Sequence, residues 1–497
     1  MLAEKTEEAP NILSAQDDRT AAGWLSLFRD GNAPISLMIA GGVAIHALSM
    51  RVVSTALPIV VTEIGGLRFF AWTTTVAVIT AIWGAAFAAS LVRFRGLRDA
   101  YRISLVLFAG GSVICATSPS MEVFLVGRLF QGLGGGFLTA LAYATIRRVF
   151  RENQRTRAIV LMSGIFGAAA FTGPLVGGVL AGWGVWRWAF WIDVPFAVAV
   201  GLLTESTLSK RTEPESTGAG ISRTAACARL GLLTGSALAV SIGSISGDAR
   251  SSGIGLALGA ALLFVLLRVE REGGTSTSPF RLLPSGAYRP GNARGAVSLT
   301  MALIAGSTTA ATLYIPYVIT EVSGYPPIVG GYLSALMALC WTSAAFFTAS
   351  AEGVWAERSI VFGPMCVCIG LTLATYALLF GSLFLLAYGI GLSGAGVGIA
   401  WAHLGNLMMK HAKETEHDVS SAFISTNQLI AMTFFSALAG MITNLAGFAD
   451  PTLGKSGIIT SVLSLFICLS LISAISIPIS IISVRLSTGQ RSARPRP

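Results

Sequence analysis

An arginine and an amide stand three residues apart in a stretch with little else that is polar. They are Arg128 and Gln131, inside the apolar run from Val123 to Ile146. At that spacing they share one face of a helix. A guanidinium placed in hydrocarbon is costly and is kept there mainly for function. The chemistry open to this pair is non-covalent, the ordering of a polar cavity by charge and hydrogen bonds. The competing account is an arginine that snorkels to the membrane interface, since it lies only a few residues into the run. Gly132 and Gly136 follow four apart, with Gly134 and Gly135 between them, so another backbone can approach the same helix closely.

The other titratable groups of the apolar runs are few. His46, Arg51 and Asp193 complete the inventory of the first half, with Glu63 and Glu321 near helix ends. Arg51, Ser54 and Thr55 share a side, which makes that side a candidate cavity wall. Two roles are open to Arg51: facing a solute, or tying helices together by pairing with Asp193 or Glu63. His46 reads more naturally as a packed histidine than as a proton carrier, and Asp193 as a coupling acid or as a cap before Pro195. The amides Asn427 and Gln428 require a partner helix or a solute. Of the aromatic residues within spans, Tyr314 and Trp341 are candidates to line a pocket. Trp183, Trp186, Trp188 and Trp191 gather at a boundary, where an aromatic belt is the default explanation.

These side chains need long apolar helices to position them, and the composition supplies such helices. Hydrophobic residues make up 53% of the chain and charged residues only 12%, against roughly 25% charged in soluble domains. The six cysteines are scattered, with no disulfide frame or metal spacing. Cys366 and Cys368, two apart, point to different helix faces. No nucleophile–base set or phosphate loop is present, so no enzyme, cofactor or metal is expected.

The pattern predicts an all-α polytopic membrane protein with fourteen spans, at roughly 35–60, 69–92, 103–119, 123–146, 158–182, 186–204, 230–246, 253–267, 295–319, 328–350, 359–381, 383–402, 420–446 and 458–484. The net charge of +10 does not point to nucleic acid, because it is distributed by topology. Only Arg68, Arg187, Arg250 and Lys455 fall in one set of loops, and Arg51 and Arg128 within spans. Every other one of the 34 Lys and Arg residues falls on the side of the termini. That bias places both termini in the cytoplasm.

The chain also repeats weakly. Gly389, Gly391, Gly394, Gly396 and Gly398 of the twelfth span echo the glycines of the fourth. Two six-helix halves with parallel symmetry fit this, at 35–204 and 295–484. Between them 205–294 would be a linker carrying an inserted helix pair. A cytoplasmic tail at 1–34 and a basic tail at 485–497 complete the expected organisation.

The stretch Arg128 to Gly136, R-x-x-Q-G-x-G-G-G, resembles the fourth-helix motif of the major facilitator superfamily of secondary transporters. Further resemblances cover most of the chain. Thr55 to Pro58 (TALP) is similar to the end of that family's first helix, and Gly173-Pro174-Leu175-Val176-Gly177-Gly178 to the fifth-helix motif of its antiporters. Trp186 to Pro195 and Tyr314 to Tyr332 resemble segments of the fourteen-span drug:proton antiporter branch. The resemblance implies alternating access, with Gly132, Gly136, Gly173, Pro174, Gly177 and Gly178 as gating positions. It also shows departures. Ser49 stands where that branch usually has aspartate and Arg51 where it has threonine. Arg93 replaces an aspartate of the loop after helix two.

With two intramembrane arginines and few acids, the expectation is a neutral-polar or anionic solute. Uptake of a polar aromatic metabolite or vitamin such as riboflavin is the first reading, and proton-coupled efflux of drug-like compounds the alternative. The candidate binding or coupling residues are Arg51, Arg128, Gln131, Asp193, Asn427, Gln428, Tyr314 and Trp341. The expected partners are a small solute, protons as candidate coupling ion, and the lipid of a bacterial inner membrane around a monomer.

Overall fold

The computed structural model describes residue 27 and residues 32–208, 223–272, 282–412, 416–450 and 452–492. Most of the expected N-terminal tail, residues 493–497 of the C-terminal one, and part of each linker lie outside these residues. Helix α1 is Ala33–Ile64, α2 Trp72–Ala116, α3 Met121–Val149 and α4 Glu152–Gly182. A short α5, Trp188–Trp191, runs on into α6, Asp193–Thr207. The inserted pair is α7, Arg223–Gly243, with α8, Ala249–Glu272. The second half holds α9 Ala293–Tyr317, α10 Pro327–Thr348, α11 Val354–Phe380, α12 Leu383–Lys410, α13 His417–Leu445 and α14 Gly454–Ser492. Among the described residues there is no strand, and 13 helical segments are long and apolar enough to cross a membrane.

One of those segments, Leu67–Ala116, is 50 residues long, about twice what a bilayer requires. It breaks at Gly96, whose φ of 78° and ψ of 167° are not helical. Both limbs then pack on the same stretch of α3. Gly132 of α3 lies against Ala77, while Gly134 lies against Ser104 and Phe108. On a straight helix Ala77 and Phe108 would stand about 45 Å apart at 1.5 Å per residue. The chain therefore doubles back at Gly96. Only glycine takes that positive φ without strain.

The glycines of α3 make this packing possible. Gly127 meets the backbone of Gly111 and Cys115 in the return limb, and Gly136 meets Ala81 in the first. A side chain at either position would strike backbone. The second half repeats the arrangement: Gly389 and Gly396 of α12 lie against Gly370 and Gly363 of α11, and Gly394 against Met337 of α10. The internal likeness of the sequence is thus a likeness of packing, α3 between the limbs of α2 and α12 between α10 and α11.

The inserted helices are longer than their apolar cores suggested. They extend toward the linkers because Arg229 and Glu270, both buried, pair at 3.1 Å near their ends. Close approach of Gly243 and Gly255 joins the two helices. The pair touches both halves, through Trp83 Nε1 donating to Thr234 Oγ1 at 2.7 Å and through Val240 packed on Ala437 and Met441 of α13.

The named contacts between the halves gather at the face opposite the termini. Gly178 of α4 lies against Ile328 of α10, and Gly331 against the Pro174 carbonyl. Ser436 Oγ donates to the Ala71 carbonyl at 3.0 Å and Asn444 Nδ2 to the Arg68 carbonyl at 3.1 Å. Phe70 of the first half fits among Tyr314, Tyr317 and Phe448 of the second, with ring centroids 5.0, 5.3 and 5.8 Å away.

Candidate functional site

Five elements converge on Gln131 about two turns below the far ends of α3 and of the α5–α6 segment. Arg128, only 2% exposed, donates from Nη1 to Gln131 Oε1 at 2.8 Å and from Nε to the Thr73 carbonyl at 3.2 Å. Its Nη2 points at Met50 Sδ, 3.3 Å away. The amide nitrogen of Gln131 donates to Ser112 Oγ at 2.8 Å, Asp193 Oδ2 at 3.3 Å and Ser49 Oγ at 3.4 Å. Ser112 Oγ also donates to Asp193 Oδ2 at 3.1 Å, and the Ser49 hydroxyl lies beside the same carboxylate. Asp193 is 5% exposed. The result is a closed relay from α3 through an amide and two hydroxyls to α6.

The helices hold this relay for local reasons. Arg128 and Gln131 are three residues apart on one face, and Gly127 and Gly132, flanking that face, bring the two limbs of α2 within reach. Asp193 is the first residue of α6, so the carboxylate also sits well at a helix N-terminus. His46 joins only by packing: its ring lies over Gly135 and meets Phe108 edge-on at 6.4 Å.

Arg51 stands apart from the relay. It is exposed, although it lies in the middle of α1, and its Cβ packs on Gly173 of α4. Neither acid expected to pair with it does so. Asp193 is held by Ser112 and Gln131, and Glu63 is bound by Arg187 and by Trp186 Nε1. An exposed cation at that depth requires water beside it. Its side chain lies beside α4, below the contacts that close the far face. Thr55 is buried against Gly177 rather than sharing that exposure.

The other expected site residues divide. Asn427 is fully buried, accepts from the Tyr288 hydroxyl and donates to the Ser298 carbonyl at 3.0 Å, so it ties helices together. Tyr314 is not a pocket wall: its hydroxyl bonds Thr443 Oγ1 at 2.9 Å and its ring fills the far-face aromatic cluster. Gln428 and Trp341 are half-buried, and Trp341 packs on Trp401 with centroids 5.8 Å apart. Trp186 leaves the expected belt. It is fully buried with Phe124 and Phe190 because its indole N–H finds Glu63, whereas Trp183, Trp188 and Trp191 are exposed. Ser112 was missed by the sequence reading, since one serine in an apolar run carries no signal until its partners are known.

Among the described residues no group of three or more His, Cys, Asp or Glu could hold a metal. The model of the Major Facilitator Superfamily matches residues 39–217. A probable multidrug-efflux transporter of Mycobacterium tuberculosis is 29% identical over 419 residues, covering 83% of this chain and 88% of that protein. The multidrug transporter protein MdtP of Bacillus subtilis is 29% identical over 167 residues, covering 34% of this chain and 31% of its own. Among solved structures, a bacterial homolog to the human lysosomal transporter Spinster, inward-facing and unoccupied, aligns with a TM-score of 0.64 at 14% identity. That alignment covers 94% of this chain and 99% of the other. A D-xylose–proton symporter aligns at 0.58 and 13% identity, over 88% and 96% of the two chains. The fold is therefore the one these transporters share.

Proposed function

We propose that this chain, whose family and fold are those of membrane transporters, exports amphipathic organic compounds by alternating access in a bacterial inner membrane. The observation that carries the reading is the near full-length likeness to the mycobacterial multidrug-efflux transporter. In this reading the chain crosses the membrane fourteen times, Leu67–Ala116 counting twice, and both termini are cytoplasmic. The far face is then periplasmic and closed, and a cleft beside Arg51 opens to the cytoplasm, where an exporter loads.

The structure changes the argument about substrate charge. Two intramembrane arginines suggested a strongly cationic site. Arg128, however, is committed to Gln131 and screened by Asp193. Arg51 remains, and it favours neutral or anionic amphiphiles over lipophilic cations. Trp341, Trp401 and Gln428 supply flat and polar surfaces that suit such solutes. The same Arg51 is what favours the second reading, uptake of a polar aromatic solute such as riboflavin.

The test is expression in a host lacking its own efflux pumps, scored with neutral, anionic and cationic dyes, beside growth of a riboflavin auxotroph on limiting vitamin. Energy-dependent extrusion of the neutral or anionic dyes supports export. Rescue of the auxotroph without any extrusion replaces it with uptake.

A further inference from the structure

We propose that Asp193 carries the proton that couples transport, and that Gln131 transmits its charge state to α1 and α3. The proposal rests on the transport reading above and names its coupling residue.

The geometry assigns the role. Among the described acids, Asp193, Glu270 and Glu416 are buried, but Glu270 pairs with Arg229 and Glu416 with Arg294, near helix ends, whereas Asp193 lies deep in the first half. Glu63 and Glu321 sit at helix ends, and Glu205 is bound by Arg98 and Arg102 at the opposite end of α6. Two donors, Ser112 Oγ and Gln131 Nε2, point at its Oδ2. An arrangement of that kind suits a carboxylate. When a proton binds Oδ2, the oxygen becomes a donor. The amide of Gln131 then loses an acceptor, while its carbonyl stays bound to Arg128. Ser112 of α2 and Ser49 of α1 remain within reach of that amide. One proton therefore changes how α6 is held to α1 and α3, elements of a single half that must tilt as a body in alternating access.

The charged and titratable surroundings are consistent with a single exchangeable proton. Helices α1, α2 and α5 pack on α6. From α2 comes Cys115, and from α3, beyond Gln131, Arg128. On α1, His46 is packed over Gly135, Arg51 faces α4, and Glu63 is paired with Arg187, which caps α5.

The experiment uses the full-length protein in proteoliposomes and a dye it transports. Asp193→Asn should lose accumulation driven by a pH gradient at least tenfold while keeping solute exchange at equal pH. The double variant Ser49→Asp with Asp193→Asn returns an acid to the other side of the same amide and should recover gradient-driven accumulation. Infrared titration of the purified protein reads proton binding without any solute. A protonated-carboxyl band that titrates in the wild type should vanish in Asp193→Asn, even if no transported compound is found. Undiminished gradient-driven accumulation in Asp193→Asn, or an unchanged carboxyl band, would overturn the assignment.

Discussion

Arg128 and Asp193, the two buried charges of the first half, are joined by one side chain, Gln131, which gives its carbonyl to the cation and its amide to the acid. An amide can pass a change at one end to the other only while both bonds hold, and the variants below address each part of that arrangement.

Arg128→Ala would leave the Gln131 carbonyl with only the weak Cys115 thiol as donor in a site closed to water. An unsatisfied buried group costs about 1–3 kcal/mol. The purified variant should melt several degrees lower and fail to transport. Arg128→Lys should recover stability in part, since an ammonium lacks the fork that reaches Gln131 and the Thr73 carbonyl together. A melting profile identical to wild type for the alanine variant would show that the network contributes nothing to the fold.

Arg51→Ala should leave melting unchanged, because no ion pair is lost. Affinity for an anionic dye should fall about tenfold, equivalent to about 1.4 kcal/mol, with a neutral dye little affected. Equal losses for both dyes would place Arg51 outside the cleft.

Gly331→Val puts a branched side chain against the Pro174 carbonyl, where the halves close at the far face. The variant should be made at normal levels yet stall with that face ajar. Cysteines placed near Phe70 should then react with a membrane-impermeant thiol reagent many times faster than in the wild-type background. No change in labelling would mean that this contact is not the gate.

Topology is open to direct measurement. Reporters fused after Arg151 and after Arg281 should read cytoplasmic, and one after Gly454 periplasmic. A reporter after Gly247, in the turn between α7 and α8, should read periplasmic, and a cytoplasmic signal there would remove the inserted pair from the membrane.

Much of this was legible in the chain. Apolar length outlined the helices, and the spacing of Arg128, Gln131 and the α3 glycines marked the helix at the centre. What the sequence could not show was which faces meet. Of the two roles open to Arg51, the pairing with Asp193 or Glu63 is not made, since Asp193 lies against Ser112 and Gln131 and Glu63 against Arg187, on helices whose rotation no periodicity records. For Asn427 the choice between a partner helix and a solute, and for Tyr314 that between packing and a pocket, stayed open for the same reason. An intramembrane polar group always has some partner, and only packing shows whether that partner is protein.

The turn at Gly96 also bears on how the protein is made. The two limbs of α2 are separated by a single residue with non-helical backbone angles, so no loop remains to let one limb enter the bilayer before the other. In the topology proposed above they would enter the bilayer together as a paired hairpin, with Arg93, Arg95, Arg98 and Arg102 around the turn kept on the cytoplasmic side. A substitution at Gly96 would thus act during biogenesis. Its signature would be nascent chains degraded before maturation, while any molecules that did complete insertion would work normally.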